Sequence, residues 1–188
     1  MINERRSFFR IEDKVLLRYQ SIDKSAALAN QIPQQYIDDP SYSLMHEIQH
    51  IDQEYSRHLH SIAEHNRDLE IYLKSINKKI DAIAAHLADT IKPVSDQLPN
   101  SITLSEGGLS FHSHVEHAHD GHLAIQVSFL PLHQTIVLFS KIINCWQISG
   151  GGYNVAVSFV ELSDYDRQVI ARHIMQVQLA RKREELQE

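Results

Sequence analysis

Residues 40–92 read PSYSLMHEIQHIDQEYSRHLHSIAEHNRDLEIYLKSINKKIDAIAAHLADTIK, with no glycine and no proline after Pro40. Asp39 is suited to cap a helix and Pro40 to hold its first position, where a missing N–H leaves nothing unsatisfied. Pro93 supplies the stop. The stretch predicts a helix of about 50 residues, roughly 75 Å long at 1.5 Å per residue. Its apolar side chains recur every 3.5 residues. One series, the heptad d positions, is Ile48, Tyr55, Ile62, Leu69, Ile76 and Ile83. The companion a series is Met45, Asp52, Leu59, Asn66, Leu73, Ile80 and Leu87. Such a sustained repeat specifies a left-handed coiled coil. A stripe of this length outruns the core of one small domain, so it is expected to bury against copies of itself. Each buried Leu or Ile contributes about 1.5–3 kcal/mol to that association. Leu at a with Ile at d favours three or four strands over two, and a homotetramer is expected. Asn66, the one amide in the a series, is the expected register-fixing residue. It lies near mid-seam and can meet itself in either orientation, which leaves the helix direction open.

The same run spells His46-Glu47-x-x-His50, the signature of zinc metalloproteases. Ile48 holds a d position, so His46 falls at b, Glu47 at c and His50 at f, on the outside of a coiled coil. A catalytic zinc needs a third protein ligand and a cleft that sheds water. No turn in the helix returns such a ligand, and Glu64 and Glu70 lie tens of ångströms along the axis. The 13 histidines of the chain make an accidental match easier to meet. A zinc hydrolase is therefore set aside, and no catalytic residue, metal or cofactor is assigned. The second His-rich stretch, HSHVEHAHDGH at 112–122, reads as a polar strand face (His112, His114) followed by a polar turn (His117, His119). His122 is too far along its strand to share an ion with His114. Cys145, beside Trp146, reads as packed.

Beyond Pro99 the apolar period changes to two. Leu109, Phe111 and Val115 alternate with Ser110, His112 and His114; Leu123, Ile125, Val127 and Phe129 alternate with Ala124, Gln126 and Ser128. These are half-buried antiparallel strands, joined as a hairpin through His119-Asp120-Gly121 with Gly121 left-handed. Residues 135–147 and 153–160 make two further strands around Ser149-Gly150-Gly151-Gly152. Residues 8–20 read as a strand, and 21–38 as a linker with a short helical turn near Ala26–Asn30. Ser163 caps a last helix to about Arg183, with Leu162, Val169, Ile170, Ile174 and Val177 on one side. A small antiparallel β-barrel with a C-terminal helix, in an α+β chain, accounts for these segments.

Composition narrows the function classes. The 188 residues carry a net charge of −6, which argues against a surface that tracks the phosphates of a nucleic-acid polymer. The single cysteine rules out an internal disulfide and fits a reducing compartment. The start, MINERRSFFRIEDK, has no apolar core of signal-peptide length, and no apolar run approaches a membrane span. A cytoplasmic protein is expected.

Glu4-Arg5-Arg6-Ser7-Phe8-Phe9-Arg10-Ile11 resembles the Arg-Arg-x-x-x-Arg motif of the PilZ domain family. That family's barrel carries a second motif, Asp/Asn-x-Ser-x-x-Gly, and Thr103-Leu104-Ser105-Glu106-Gly107-Gly108 aligns with it. Asn154–Phe159 and the capped helix after it resemble the family's last strand and C-terminal helix. PilZ domains are receptors for the bacterial second messenger cyclic di-GMP, and variants with a helical insertion that tetramerise exist as a type. The resemblance thus implies a PilZ-like barrel at residues 1–24 and 97–188, with 25–96 as linker and coiled-coil insertion. It implies a non-enzymatic regulatory or adaptor protein of cyclic di-GMP signalling. Arg5, Arg6, Arg10, Thr103, Ser105 and Gly108 are its implied ligand residues. Arginine forks hold phosphates and the guanine O6/N7 edge. Thr103, in the Asp/Asn position, lacks the charge and the second oxygen. One lost charged-group hydrogen bond of about 1.5–3 kcal/mol weakens a ligand about ten-fold or more. The alternative is an oligomeric interaction scaffold, with an unidentified protein partner and a vestigial nucleotide site.

Overall fold

A computed structural model of the chain describes residues 9–91, 99–130 and 134–186. In chain order the elements are β1 (Ile11–Ile22), α1 (Lys24–Leu28), α2 (Gln34–Ile37), α3 (Pro40–His65), α4 (Arg67–Ile91), β2 (Asn100–Ser105), β3 (Gly108–Ser113), β4 (His122–Phe129), β5 (Gln134–Gln147), β6 (Tyr153–Phe159) and α5 (Asp164–Glu185). The chain forms two compact units, one of residues 1–31, 99–127 and 137–188, the other of 32–98 and 128–136. Among the described residues no helix is long and apolar enough to cross a membrane.

The strands close a barrel in the order β1-β2-β3-β6-β5-β4. Period-two alternation sends one set of side chains inward. Ile11 faces Leu104, Ile102 faces Phe111, and Leu109 and Phe111 face Val157 and Val155. All of these are buried. β2 adds a strand to those read from the sequence. Gly151 and Gly152, at φ 88° and 81°, turn the chain from β5 into β6 where a side chain would be strained. An extra residue, Ile143, bulges from β5 between the Ile142 and Asn144 pairings.

Two strand expectations are corrected. The segments at 109–115 and 123–129 do not pair as a hairpin, because β3 already has β2 on one edge and β6 on the other. His119-Asp120-Gly121 instead ends a crossover that clings to β5, where Ile142 N–H donates to the Gly121 carbonyl (2.8 Å). The left-handed residue there is Asp120 (φ 63°), not Gly121. The second correction concerns β4. Ala124 and Gln126, expected on a wet face, are buried, so β4 is covered on both sides. Among the described residues the Gln126 Oε1 atom has no hydrogen-bond partner.

α5 begins as expected. Ser163 Oγ accepts from the Asp166 N–H (3.0 Å), and Val169, Ile170 and Ile174 are buried. His173 joins them, with its Nε2 2.6 Å from Asp13 Oδ2 on β1. Arg181 Nη2 donates to the Glu12 carbonyl, a second tie between α5 and β1.

The expected single 50-residue helix is two helices folded against each other. Asn77 Nδ2 donates to Asp52 Oδ1 at 3.3 Å. In one straight helix those residues would stand about 37 Å apart. Ile48 packs on buried Ala84, so α3 and α4 run antiparallel. The break is at Asn66. Its N–H closes α3 on the Ile62 carbonyl (2.7 Å), and its carbonyl opens α4 on the Glu70 N–H (3.1 Å). Its Oδ1 accepts from the Leu69 N–H (3.0 Å), the geometry of a helix N-cap. Asn66 is thus the cap of a reversal, not an amide inside a continuous seam. In the same unit Tyr36 and Tyr42 are buried, and Gln49 Nε2 donates to the Thr135 carbonyl (3.1 Å).

Candidate functional site

The β1–β2–β3 corner places the motif residues. Register pairs Glu12 with Thr103, Thr103 with Ser110, and Ser105 with Gly108. Leu104 and Leu109 point inward, so Thr103, Ser105 and Ser110 face outward. β6 and β5 continue the outward rows: Ala156 and Asn144 follow Ser110, while Ser158 and Lys141 follow Gly108. Arg10 is exposed and directly precedes Ile11, the partner of Leu104. Arg10, Thr103, Ser105 and Gly108 therefore lie at one edge of the barrel's outer face. Arg5 and Arg6 lie outside the described residues.

The turn between β2 and β3 is Glu106-Gly107. Ser105 Oγ donates across it to the Gly108 carbonyl (3.0 Å), and the Gly107 carbonyl accepts from Phe159 N–H (3.0 Å) and Ser158 Oγ (3.4 Å). A Cβ on Gly108 would lie 2.1 Å from the Val157 carbonyl oxygen. The glycine is required by close approach of β6, whatever binds outside it.

Sequence reasoning missed two polar clusters because their members are far apart in the chain. Ser113 Oγ accepts from Tyr19 O–H (3.0 Å) and Val115 N–H (3.1 Å), and lies 3.1 Å from His117 Nε2. Burial pushes the His117 pKa down, because a partly desolvated ring disfavours the charged form. Farther along, Lys141 Nζ pairs with Asp120 Oδ1 (2.7 Å). Hydrogen bonds from Lys141 and His119 hold the Asp120 carboxyl below its usual range. His46, Glu47 and His50 are exposed, and among the described residues no group of three His, Cys, Asp or Glu side chains is placed to hold a metal ion.

In the helical unit the heptad residues divide. Ile48, Leu59 and Ile62 of α3 are half-buried, and Tyr55 is exposed. The Met45 side chain is outside what is described. On α4, Asn77 and Ala84 meet α3, whereas Leu69, Ile80, Ile83 and Leu87 stay exposed and Leu73 and Ile76 half-buried. The exposures run from 43% at Leu69 to 62% at Ile83. The seam of α4 is therefore open at Leu69, Ile80, Ile83 and Leu87 and partly covered at Leu73 and Ile76. Burial raises the Asp52 carboxyl pKa; burial and then the Asp52 charge raise that of Asp81.

No protein-family model and no curated protein matches this chain. Among solved structures, a pathogenic protein from Xanthomonas campestris, described as a tetrameric PilZ domain self-assembled via a helical bundle, superposes with a TM-score of 0.56. That alignment covers 97% of this chain and 92% of that one, at 11% identity. Two shorter likenesses are the inhibitor of motility MotI/DgrA of Bacillus subtilis and the MrkH–c-di-GMP complex of K. pneumonia. The first covers 45% of this chain and 44% of that one, at 13% identity and TM-score 0.38. The second covers 47% and 44%, at 18% identity and TM-score 0.40. The first superposition spans barrel, helical insertion and C-terminal helix together. The fold of this chain is that of a PilZ domain with helices inserted between its first two barrel strands.

Proposed function

We propose that this chain is a non-enzymatic regulatory or adaptor protein of cyclic di-GMP signalling, working in the cytoplasm as a homotetramer joined through its inserted helices. The observation that carries the reading is the gathering of Arg10, Thr103, Ser105 and Gly108 at one outer edge of a PilZ-type barrel. Arg5 and Arg6, on the chain leading to that edge, supply further guanidinium forks for phosphates and guanine. The exposed Leu69, Ile80, Ile83 and Leu87, with half-buried Leu73 and Ile76 between them, support self-association, and Ile48, Tyr55, Leu59 and Ile62 of α3 lend flanking contacts. Titration calorimetry with cyclic di-GMP is the test. Saturable binding that Arg10→Ala weakens at least ten-fold is expected, and absence of heat at high micromolar ligand would overturn ligand binding.

A second reading, an interaction scaffold with a vestigial site, has its own observation. Gly108 is needed by the Val157 carbonyl and Ser105 Oγ is bonded within its turn, so both have structural reasons to be present. Light scattering that finds a tetramer, together with silent calorimetry, favours the scaffold.

A further inference from the structure

Glu12 stands directly across the β1–β2 ladder from Thr103. The neighbouring pair Ile11 and Leu104 is buried inward, so Glu12 and Thr103 share the outer face. Opposed residues in an antiparallel pair have Cβ atoms about 4.5–5.5 Å apart, so a glutamate reaches over its partner. Among the described residues, the Glu12 backbone carbonyl is held by Arg181 while its exposed carboxylate makes no hydrogen bond or ion pair. The next outward positions on this row are Thr103, Ser110 and Ala156, two hydroxyls and a methyl that keep the surface beside the carboxylate low. Arg10 precedes Glu12 by two residues, and Arg181 anchors beside it. A bidentate acceptor next to guanidinium donors is complementary to guanine. Its N1–H and N2 amine donate to a carboxylate, while its O6 and N7 accept from arginine. Adenine presents an acceptor at N1 and has no N2 amine, so a carboxylate there rejects it.

We infer that Glu12 is the residue that reads the guanine base, supplying from β1 the carboxylate that Thr103 lacks on β2, and that it makes the site selective for a guanine over an adenine cyclic dinucleotide. The inference rests on the ligand-binding reading above.

The test is calorimetric titration of the full chain with cyclic di-GMP and with cyclic di-AMP, with circular dichroism as the folding control. Wild type should bind the guanine ligand at least ten-fold more tightly. Glu12→Ala should lose ten-fold or more toward cyclic di-GMP, and the near-isosteric Glu12→Gln should narrow the guanine-to-adenine ratio. Thr103→Asp should tighten binding more in the Glu12→Ala background than in wild type, a coupling that a merely structural glutamate would not produce. Unchanged affinity and selectivity in both Glu12 variants, with Arg10→Ala still impaired, would overturn the role of Glu12 and leave the ligand reading standing. Wild type that binds neither dinucleotide would overturn both.

Discussion

Gly108 has a backbone carbonyl where its side chain would be. Gly108→Ala should part β3 from β6 or bend both, at a cost of about 1–3 kcal/mol, read as a lower midpoint in urea unfolding. Asn66 is a matching case in the helices. Asn66→Ala removes the acceptor for the Leu69 N–H and should cost about 1 kcal/mol, while Asn66→Asp, which also caps well, should cost little. His117 makes a prediction with a sign. Burial lowers its folded pKa beneath the ordinary 6.5, so below that value the unfolded chain takes up a proton that the folded one refuses. The stability this contributes is present above pH 6.5 and is lost as pH falls through the lower folded value. Protection factors of the amides across residues 114–121, corrected for the intrinsic pH dependence of exchange, should therefore fall as pH drops below 6.5, and His117→Gln should remove that loss.

Elements were legible where their periodicity is local. The seam residues from Ile48 to Leu87 announced helix through an unbroken 3.5 repeat, and Ser163 announced the start of α5. The reversal at Asn66 was hidden for a physical reason. A helix cap and a register-fixing amide are the same side chain, and the heptad phase runs through the break without a shift. Strand pairing was hidden for another: Asp120-Gly121 carries local turn chemistry, but which strand edges are free is decided by residues 40 or more positions away. The open face of α4 gives the prediction for this scale. Ile80→Glu with Ile83→Glu should convert the proposed tetramer to monomers in light scattering. Helix content should stay unchanged by circular dichroism, because Asn77 and Ala84, which meet α3, are untouched.

At the scale of the molecule, the PilZ-like barrel was legible from two short motifs and an alternating pattern. The burial of Ala124 and Gln126 was not, since the local period-two alternation marks only one face of β4 as apolar. Residues 128–136, the ends of β4 and β5, group with the helices, and Phe129, Thr135 and Ile136 are buried there. Replacing residues 32–98 by a short linker should therefore lower the melting temperature of the remaining chain by several degrees or more and expose these side chains, seen as dye binding. The insertion also bears on how the chain is made. Ile11 must wait for Leu104 before the first barrel rung can form. On a ribosome adding about 5–20 residues each second, that is a delay of several seconds with an apolar strand unsatisfied. A helix pair that folds back on itself needs only nearby sequence, so it can form during the wait. By reversing at Asn66 it shortens the slack between the two strands and eases the loop closure on which the barrel depends.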